Sequence, residues 1–99
     1  MAGMKSYRKR LIGDHCIYCG GLPTARDHFP PKSLCYGGFI FPCCIECNNA
    51  AGTEYPFDFW KRAEYVQTKR KIRYWNVKWY LGTLGIEEHE LNYLGNRLV

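Results

Sequence analysis

The chain has 99 residues and a mass of 11.6 kDa, which is enough for one small core and excludes multidomain enzyme architectures. Its hydrophobic fraction of 46% and aromatic fraction of 16% are typical of a folded protein and exclude a disordered tail. The formal net charge of +5 favours a polyanionic partner, with nucleic acid before membrane. We expect a single domain over residues 1–99, no membrane-spanning segment and, since no signal-peptide core is visible, an intracellular location.

Two pairs of cysteines have the spacing of metal ligands. Cys16 and Cys19 are separated by two residues, and so are Cys44 and Cys47. A two-residue gap in a tight turn lets both sulfurs face one ion, and two such turns make the tetrahedral four-cysteine site that Zn²⁺ prefers. Disulfides, a redox-active pair and simple buried cysteines are the alternatives, but a reducing compartment disfavours disulfides. The choice between the adjacent Cys43 and Cys44 stays open, although only Cys44 gives the two-residue gap with Cys47. The sequence therefore predicts a structural zinc site, which would stabilise so small a fold by about 10 kcal/mol or more.

The segment between the cysteine pairs predicts two strands. Residues 22–29 form the first strand, which Pro30 ends, and residues 39–41 form the second after a turn at Gly37 and Gly38. The chain after Cys47 is predicted to be helical. The local order is then strand, strand and helix, closed at its base by zinc.

Asp27 and His28 stand together at the end of the first predicted strand. A carboxylate can hold a hard cation such as Mg²⁺ against phosphate oxygens, and a neutral imidazole can take a proton from the attacking water. Side chains of a straight strand alternate between faces, so both reach one site only if the strand bends, and Pro30 is expected to supply the bend. Asn48 offers an amide oxygen to the same cation. A satisfied structural histidine is the alternative interpretation.

Three motifs stand in a specific order over residues 16–54, namely CIYCG, ARDHFPPKSL and PCCIECNN, with a Gly-Gly turn before the last. In this combination the chain resembles the HNH endonucleases, which are ββα-metal nucleases, in their zinc-ribbon form. The resemblance implies a small α+β fold, with a zinc-stapled ββα-metal core over residues 15–54 and a helical C-terminal extension over residues 57–99. The chain departs from the family pattern at Phe39, where the middle Asn is usual, and at Ala51, where a Lys is common.

The resemblance also implies an activity. His28 would be the general base, and Asp27 and Asn48 would be ligands of a catalytic Mg²⁺ or Mn²⁺. The reaction would be hydrolysis of DNA phosphodiester bonds, either as nicking or as double-strand cleavage by a possible homodimer. The resemblance further implies a cytoplasmic protein of bacterial or phage origin. The alternative is a zinc ribbon that binds nucleic acid without cutting it, and a third interpretation is a protein-interaction module.

Basic residues supply candidate phosphate contacts. A helix is predicted to begin near Asp58, and on it Arg62, Lys69 and Arg73 lie within roughly 40° of one another. This basic stripe would track phosphates without reading bases, and a solvated helix face is the alternative.

Further basic residues lie nearer the proposed site. Arg26 and Lys32 flank it and are candidates for the phosphates next to the scissile one, whereas residues 8–10 are expected to be a flexible arm.

Aromatic residues follow this basic region. They are expected to be core residues, with stacking platforms for single strands as the alternative; they are Tyr74, Trp75, Trp79 and Tyr80. After a break at Gly85, residues 86–99 predict a short helix with an apolar face of Leu91, Leu94 and Leu98.

Overall fold

Three strands precede the helices along the chain. The computed structural model describes residues 9–31 and 38–91. The strands are β1 (Lys9–Arg10), β2 (Ala25–Phe29) and β3 (Phe39–Cys43). The helices are α1 (Ile45–Ala51), α2 (Phe59–Arg70) and α3 (Val77–Thr83), and another helical segment begins at residue 88 and continues to the end of the described chain.

The strands form one sheet in the order β1, β3, β2. The two predicted strands are present as β2 and β3, which pair antiparallel, but their ends differ from the prediction. β2 begins only after Pro23, which has no N–H to give to a ladder. β3 continues through Pro42 because β1 does not extend that far, and the Pro42 carbonyl instead accepts a hydrogen bond from the Ile17 N–H at 2.9 Å.

β1 corrects the expectation of a flexible arm. Lys9 N–H donates to the Gly38 carbonyl at 2.9 Å, and Leu11 N–H donates to the Ile40 carbonyl at 3.0 Å. The basic segment is thus fixed in parallel to the outer edge of β3. Two charged residues carry no strand signal of their own, because the pairing depends on an edge that the rest of the fold supplies.

The helix ends follow from local capping. α1 begins before Cys47, not after it as predicted, because the Cys44 thiol accepts the Cys47 N–H at 3.4 Å and caps the first turn. The predicted start of α2 near Asp58 is confirmed, since the Asp58 carboxylate accepts the Lys61 N–H at 3.0 Å. α2 ends where Lys71 adopts a left-handed conformation with φ of 59°.

The core lies between one face of the sheet and α2. Phe29 of β2 and Phe41 of β3 are fully buried on this face. The ring of Phe59, from the first turn of α2, contacts both rings with centroids 5.4 and 5.1 Å apart. Phe39 is also buried and contacts Phe41, so the residue at which the sequence departs from the HNH pattern belongs to the core here.

The structure is therefore a small α+β protein with a three-stranded sheet, and none of its described helices is long and apolar enough to cross a membrane. The last helical segment begins two residues later than predicted, and the Glu87 N–H donates to the Glu90 carboxylate at 2.8 Å across its first turn. Leu91 is buried there, as expected. Several residues named in the sequence analysis lie outside the described ranges: Arg8, Lys32, Gly37, Leu94 and Leu98.

Candidate functional site

The four cysteines of the two pairs lie together. The sulfurs of Cys16, Cys19, Cys44 and Cys47 are all within 4.8 Å of one another, and those of Cys19 and Cys44 are 3.7 Å apart. Four sulfurs placed tetrahedrally about 2.3 Å from zinc are separated by about 3.8 Å, so the cluster fits a zinc ion. The structure thus brings together the four predicted ligands, and it selects Cys44 over the adjacent Cys43.

Backbone amides point at the sulfurs within each turn. The Tyr18 N–H donates to Cys16 Sγ at 3.4 Å, and the Gly21 N–H donates to Cys19 Sγ at 3.3 Å. In the second turn the same N–H that caps α1 donates to Cys44 Sγ. Such bonds stabilise thiolates and fix the direction of their lone pairs.

Side chains from outside the motif hold the first cysteine turn in place. Gly20 has a φ of 77°, and a Cβ at this position would overlap the ring of Trp75. Trp75 Nε1 donates to the Ile17 carbonyl at 3.0 Å, and Gln67 Nε2 donates to the Tyr18 carbonyl at 2.9 Å. These contacts join the turn to α2 and to the loop after it. The spacing of the cysteines does not predict these contacts.

Arg70, in the last turn of α2, is a further residue whose contact with the cluster the sequence does not reveal. Its Nη1 lies 3.0 Å from Cys47 Sγ and 3.6 Å from Cys44 Sγ. The hydrogen bond to Cys47 raises the pKa of Arg70 above its ordinary value. Four thiolates around one dication leave a charge of −2, which this guanidinium partly offsets. From the sequence alone, a basic residue at the C-terminal end of a helix indicates only a favourable interaction with the helix dipole.

The thiol protons of the cluster are unequally held. Hydrogen bonds from Cys43 and Cys47 lower the pKa of Cys16. Burial raises the pKa of Cys19, and the hydrogen bond to Cys16 raises the pKa of Cys47. A zinc ion bound at this cluster would have to displace the protons that these thiols hold, so its affinity would rise with pH.

Asp27 is buried in a network of strong hydrogen bonds. Its Oδ1 accepts from Arg62 Nη2 at 2.8 Å, and its Oδ2 accepts from Arg62 Nε at 3.3 Å and from the Tyr18 hydroxyl. Arg62 also donates to the carbonyls of Glu54 and Gly52, at 2.7 and 3.1 Å. Burial opposes the charge of Arg62, but its bonds to Asp27 and Tyr18 outweigh that effect and raise its pKa. Burial, together with the charge of Asp27, raises the pKa of Tyr18.

This network corrects the expected sharing of one site by Asp27 and His28. β2 is regular through Phe29, so the two side chains face opposite sides of the sheet, with Asp27 on the core side. The predicted bend at Pro30 comes too late to turn them together. Because Arg62 already neutralises the carboxylate, Asp27 as arranged does not fit a ligand of a second cation.

His28 and Asn48 lie on neighbouring elements. His28 is half-buried on β2, on the face away from the core, and Asn48 is half-buried on α1. α1 packs against β2. The exposed Arg26 shares the face of His28, two residues earlier on the strand.

The predicted basic stripe is not formed. Arg62 is only 3% exposed and is turned into the protein, so it is not available for a DNA phosphate. Arg73 lies beyond the end of α2, although it and Lys69 are exposed as expected. The exposed and buried sides of a short helix cannot be told apart by charge alone when an internal acid such as Asp27 recruits one of the arginines.

The aromatic residues after α2 divide into two groups. Tyr80 is buried and Trp75 is half-buried, which confirms the expectation of a core for these two. Tyr74 is 96% exposed and Trp79 is 60% exposed, which contradicts it for the others.

Comparisons with protein-family models, with curated proteins and with solved structures give no match. The functional assignment of this chain depends on its own motifs and on the geometry of the cysteine cluster and the sheet.

Proposed function

We propose that this protein is a DNA endonuclease of the HNH type, which hydrolyses phosphodiester bonds with His28 as the general base. One arrangement supports the proposal: antiparallel β2 and β3 lead directly into α1, and the cysteine cluster ties the first turn of α1 to the turn before β2. His28 on β2 and Asn48 on α1 occupy the positions that the resemblance gives to the base and to a cation ligand.

His28 would act on water. A neutral imidazole would accept a proton as the water oxygen attacks phosphorus. The bond from phosphorus to the 3′ oxygen would break with its electron pair going to that oxygen, which then takes a proton from solvent. The products, by resemblance, are a 5′-phosphate and a 3′-hydroxyl. A positioned base of this kind contributes about 10² to 10⁴ in rate.

The resemblance also implies a Mg²⁺ or Mn²⁺ ion held by Asp27 and Asn48, which would neutralise charge on the phosphate. Asn48 keeps an amide oxygen for this purpose. Asp27 would have to exchange Arg62 and Tyr18 for the ion, and the steps assigned to this chain are therefore those of His28.

Cleavage of supercoiled plasmid tests the proposal. Wild type, His28→Ala and His89→Ala are compared with Mg²⁺, with Mn²⁺ and with EDTA. His89 is an exposed histidine on the last helical segment, so His89→Ala is a matched control for the loss of an imidazole. We expect cation-dependent cleavage by wild type and by His89→Ala, and a loss of about 10² or more in His28→Ala.

Equal traces of cleavage from all three proteins would contradict the assignment of His28. One chain carries one His28, so the dependence of the nicked-to-linear ratio on protein concentration tests the possible homodimer.

A second candidate is a zinc module that binds nucleic acid without cutting it. The ion pair of Asp27 with Arg62 favours this candidate, because the buried guanidinium occupies the carboxylate that a catalytic cation would need as a ligand. DNA binding that is equal in wild type and His28→Ala, with no cleavage under any cation, would select this candidate over the nuclease.

A further inference from the structure

One row of side chains crosses the face of the sheet that is turned away from the core. Arg10 of β1 pairs with Ile40 of β3, and Ile40 pairs with His28 of β2. Partners in register point to the same face, so Arg10 and His28 stand two strand spacings apart, which is about 10 Å. Arg26, two residues before His28, lies on the same face.

A cavity of about 350 Å³ opens beside this row. Arg10 and Arg26 line it, and its other walls include Ile12, Pro23 and Pro42. Within residues 9–31 and 38–91, no acidic side chain lines the cavity. Among the residues that the structure describes, neither arginine takes part in an ion pair.

We propose that this cavity is a binding cleft for a phosphodiester backbone, in which Arg10 and Arg26 hold the phosphates that flank the one presented to His28. Guanidinium groups recognise phosphate oxygens in bidentate geometry, and the apolar walls suit the deoxyribose between two phosphates. The cleft rests on the proposed function for its substrate, and it specifies which face of the sheet DNA occupies.

The structure thereby assigns the DNA contact to the sheet face and not to α2. β1 is essential to this assignment, because Arg10 reaches the cleft only when the N-terminal segment is paired with β3. A DNA strand lying along the row would cross β1, β3 and β2 in turn and would reach His28 from the side of Arg10.

The test is DNA binding in EDTA, where cleavage that depends on a cation does not occur. Fluorescence anisotropy of a labelled duplex is measured over a range of salt concentrations for wild type and for the double variant Arg10→Gln with Arg26→Gln. The matched control is Lys61→Gln with Lys78→Gln, which removes the same charge from two exposed lysines outside the cleft. Far-UV circular dichroism and zinc content check that each variant is folded.

We expect the cleft variant to bind about tenfold or more weakly than the control, with the slope of log K against log salt reduced by about 2. Replacement of both arginines by lysine should restore part of the affinity, because the charge is kept and the bidentate geometry is lost. Equal affinities and slopes in the cleft variant and the control would overturn the proposal. Binding to vesicles that contain phosphatidylserine is measured with the same proteins. If the cleft variant binds these vesicles more weakly but binds DNA as the control does, the proposal is overturned in favour of a membrane surface.

Plasmid cleavage separates this proposal from the proposed function. Binding that depends on the two arginines without cleavage by wild type would keep the cleft and remove the nuclease. Cleavage that depends on His28 but is unchanged in the cleft variant would keep the nuclease and overturn the cleft.

Discussion

The Asp27 carboxylate and the Arg62 guanidinium form an ion pair that is closed to water, with side-chain exposures of 3% and 4%. Such a pair contributes little net stability compared with a well-packed apolar pair, but removal of one partner leaves the other charge buried alone. The backbone carbonyls of Gly52 and Glu54 also depend on Arg62, so the loop after α1 is held by the same side chain.

Asp27→Asn should therefore lower the free energy of unfolding of the zinc-loaded protein by about 3–5 kcal/mol. Urea denaturation measures the change, and Asp14→Asn is the control because Asp14 is exposed. A change below about 0.5 kcal/mol is the size expected for an exposed residue, and it would contradict a structural role for the ion pair.

Gly20 and Gly85 require glycine for two different reasons. Both have a positive φ, of 77° and 80°, but a Cβ at Gly20 would overlap the Trp75 ring, whereas a Cβ at Gly85 would contact none of the described residues. Gly85→Ala should cost only the left-handed conformation, about 1–2 kcal/mol. Gly20→Ala should cost about 1–3 kcal/mol more, because Trp75 must move.

Thermal unfolding of the two alanine variants measures this difference. Zinc content is a second readout, because Gly20→Ala disturbs the first cysteine turn and Gly85→Ala does not. Equal losses of stability with equal zinc content would contradict the close packing of Trp75 on Gly20.

Among the strands and helices, the features that the sequence predicts are those determined by residues close together in the chain. The CxxC spacing identifies both turns, and Asp58 marks the start of α2, because each of these signals lies within a few residues of its effect. The parallel pairing of β1, the turn of Arg62 into the core and the opposite faces of Asp27 and His28 all depend on partners distant in the chain. Those features could not be predicted from spacing alone.

The C-terminal end of α2 is one such case, because it brings Arg70 to the second cysteine turn. N–H donors to a thiolate ligand stabilise its negative charge and fix its orientation. Loss of such a donor typically weakens metal binding about 10- to 100-fold. Arg70→Met should therefore weaken zinc binding by roughly that factor.

Competition with a chromophoric chelator measures the zinc affinity of Arg70→Met. Lys61→Met, on the exposed side of the same helix, is the control and should bind zinc like wild type. If both variants retain wild-type affinity, the contact of Arg70 with the sulfurs has no part in metal binding.

For the molecule as a whole, the cysteine cluster joins the turn before β2 to the first turn of α1. The first turn carries Ile17 and Tyr18 into the core, and the second caps α1 through Cys44. The core is small because a chain of this length buries only about 60–68% of its unfolded surface. Binding of zinc is therefore expected to be part of folding.

Removal of zinc should unfold the protein, and the metal should be lost more readily as pH falls. A thiol of ordinary pKa is already protonated at neutral pH. In the fold, burial raises the pKa of Cys19 and the hydrogen bond to Cys16 raises the pKa of Cys47, so a metal must displace a proton from each. Zinc binding then releases protons, and each released proton strengthens binding about tenfold for each rise of one pH unit. Chelator competition at several pH values, followed by circular dichroism, measures both effects.

Two cysteine variants make this prediction specific to the ligand set. Cys44→Ala should abolish tight binding, whereas Cys43→Ala should keep one zinc per chain, because Cys43 is buried beside the cluster but is not part of it. Calorimetry in two buffers of different ionisation enthalpy counts the protons released. Tight binding by Cys44→Ala together with its loss in Cys43→Ala would make the adjacent thiol the ligand, and binding independent of pH would show that the thiols are already ionised.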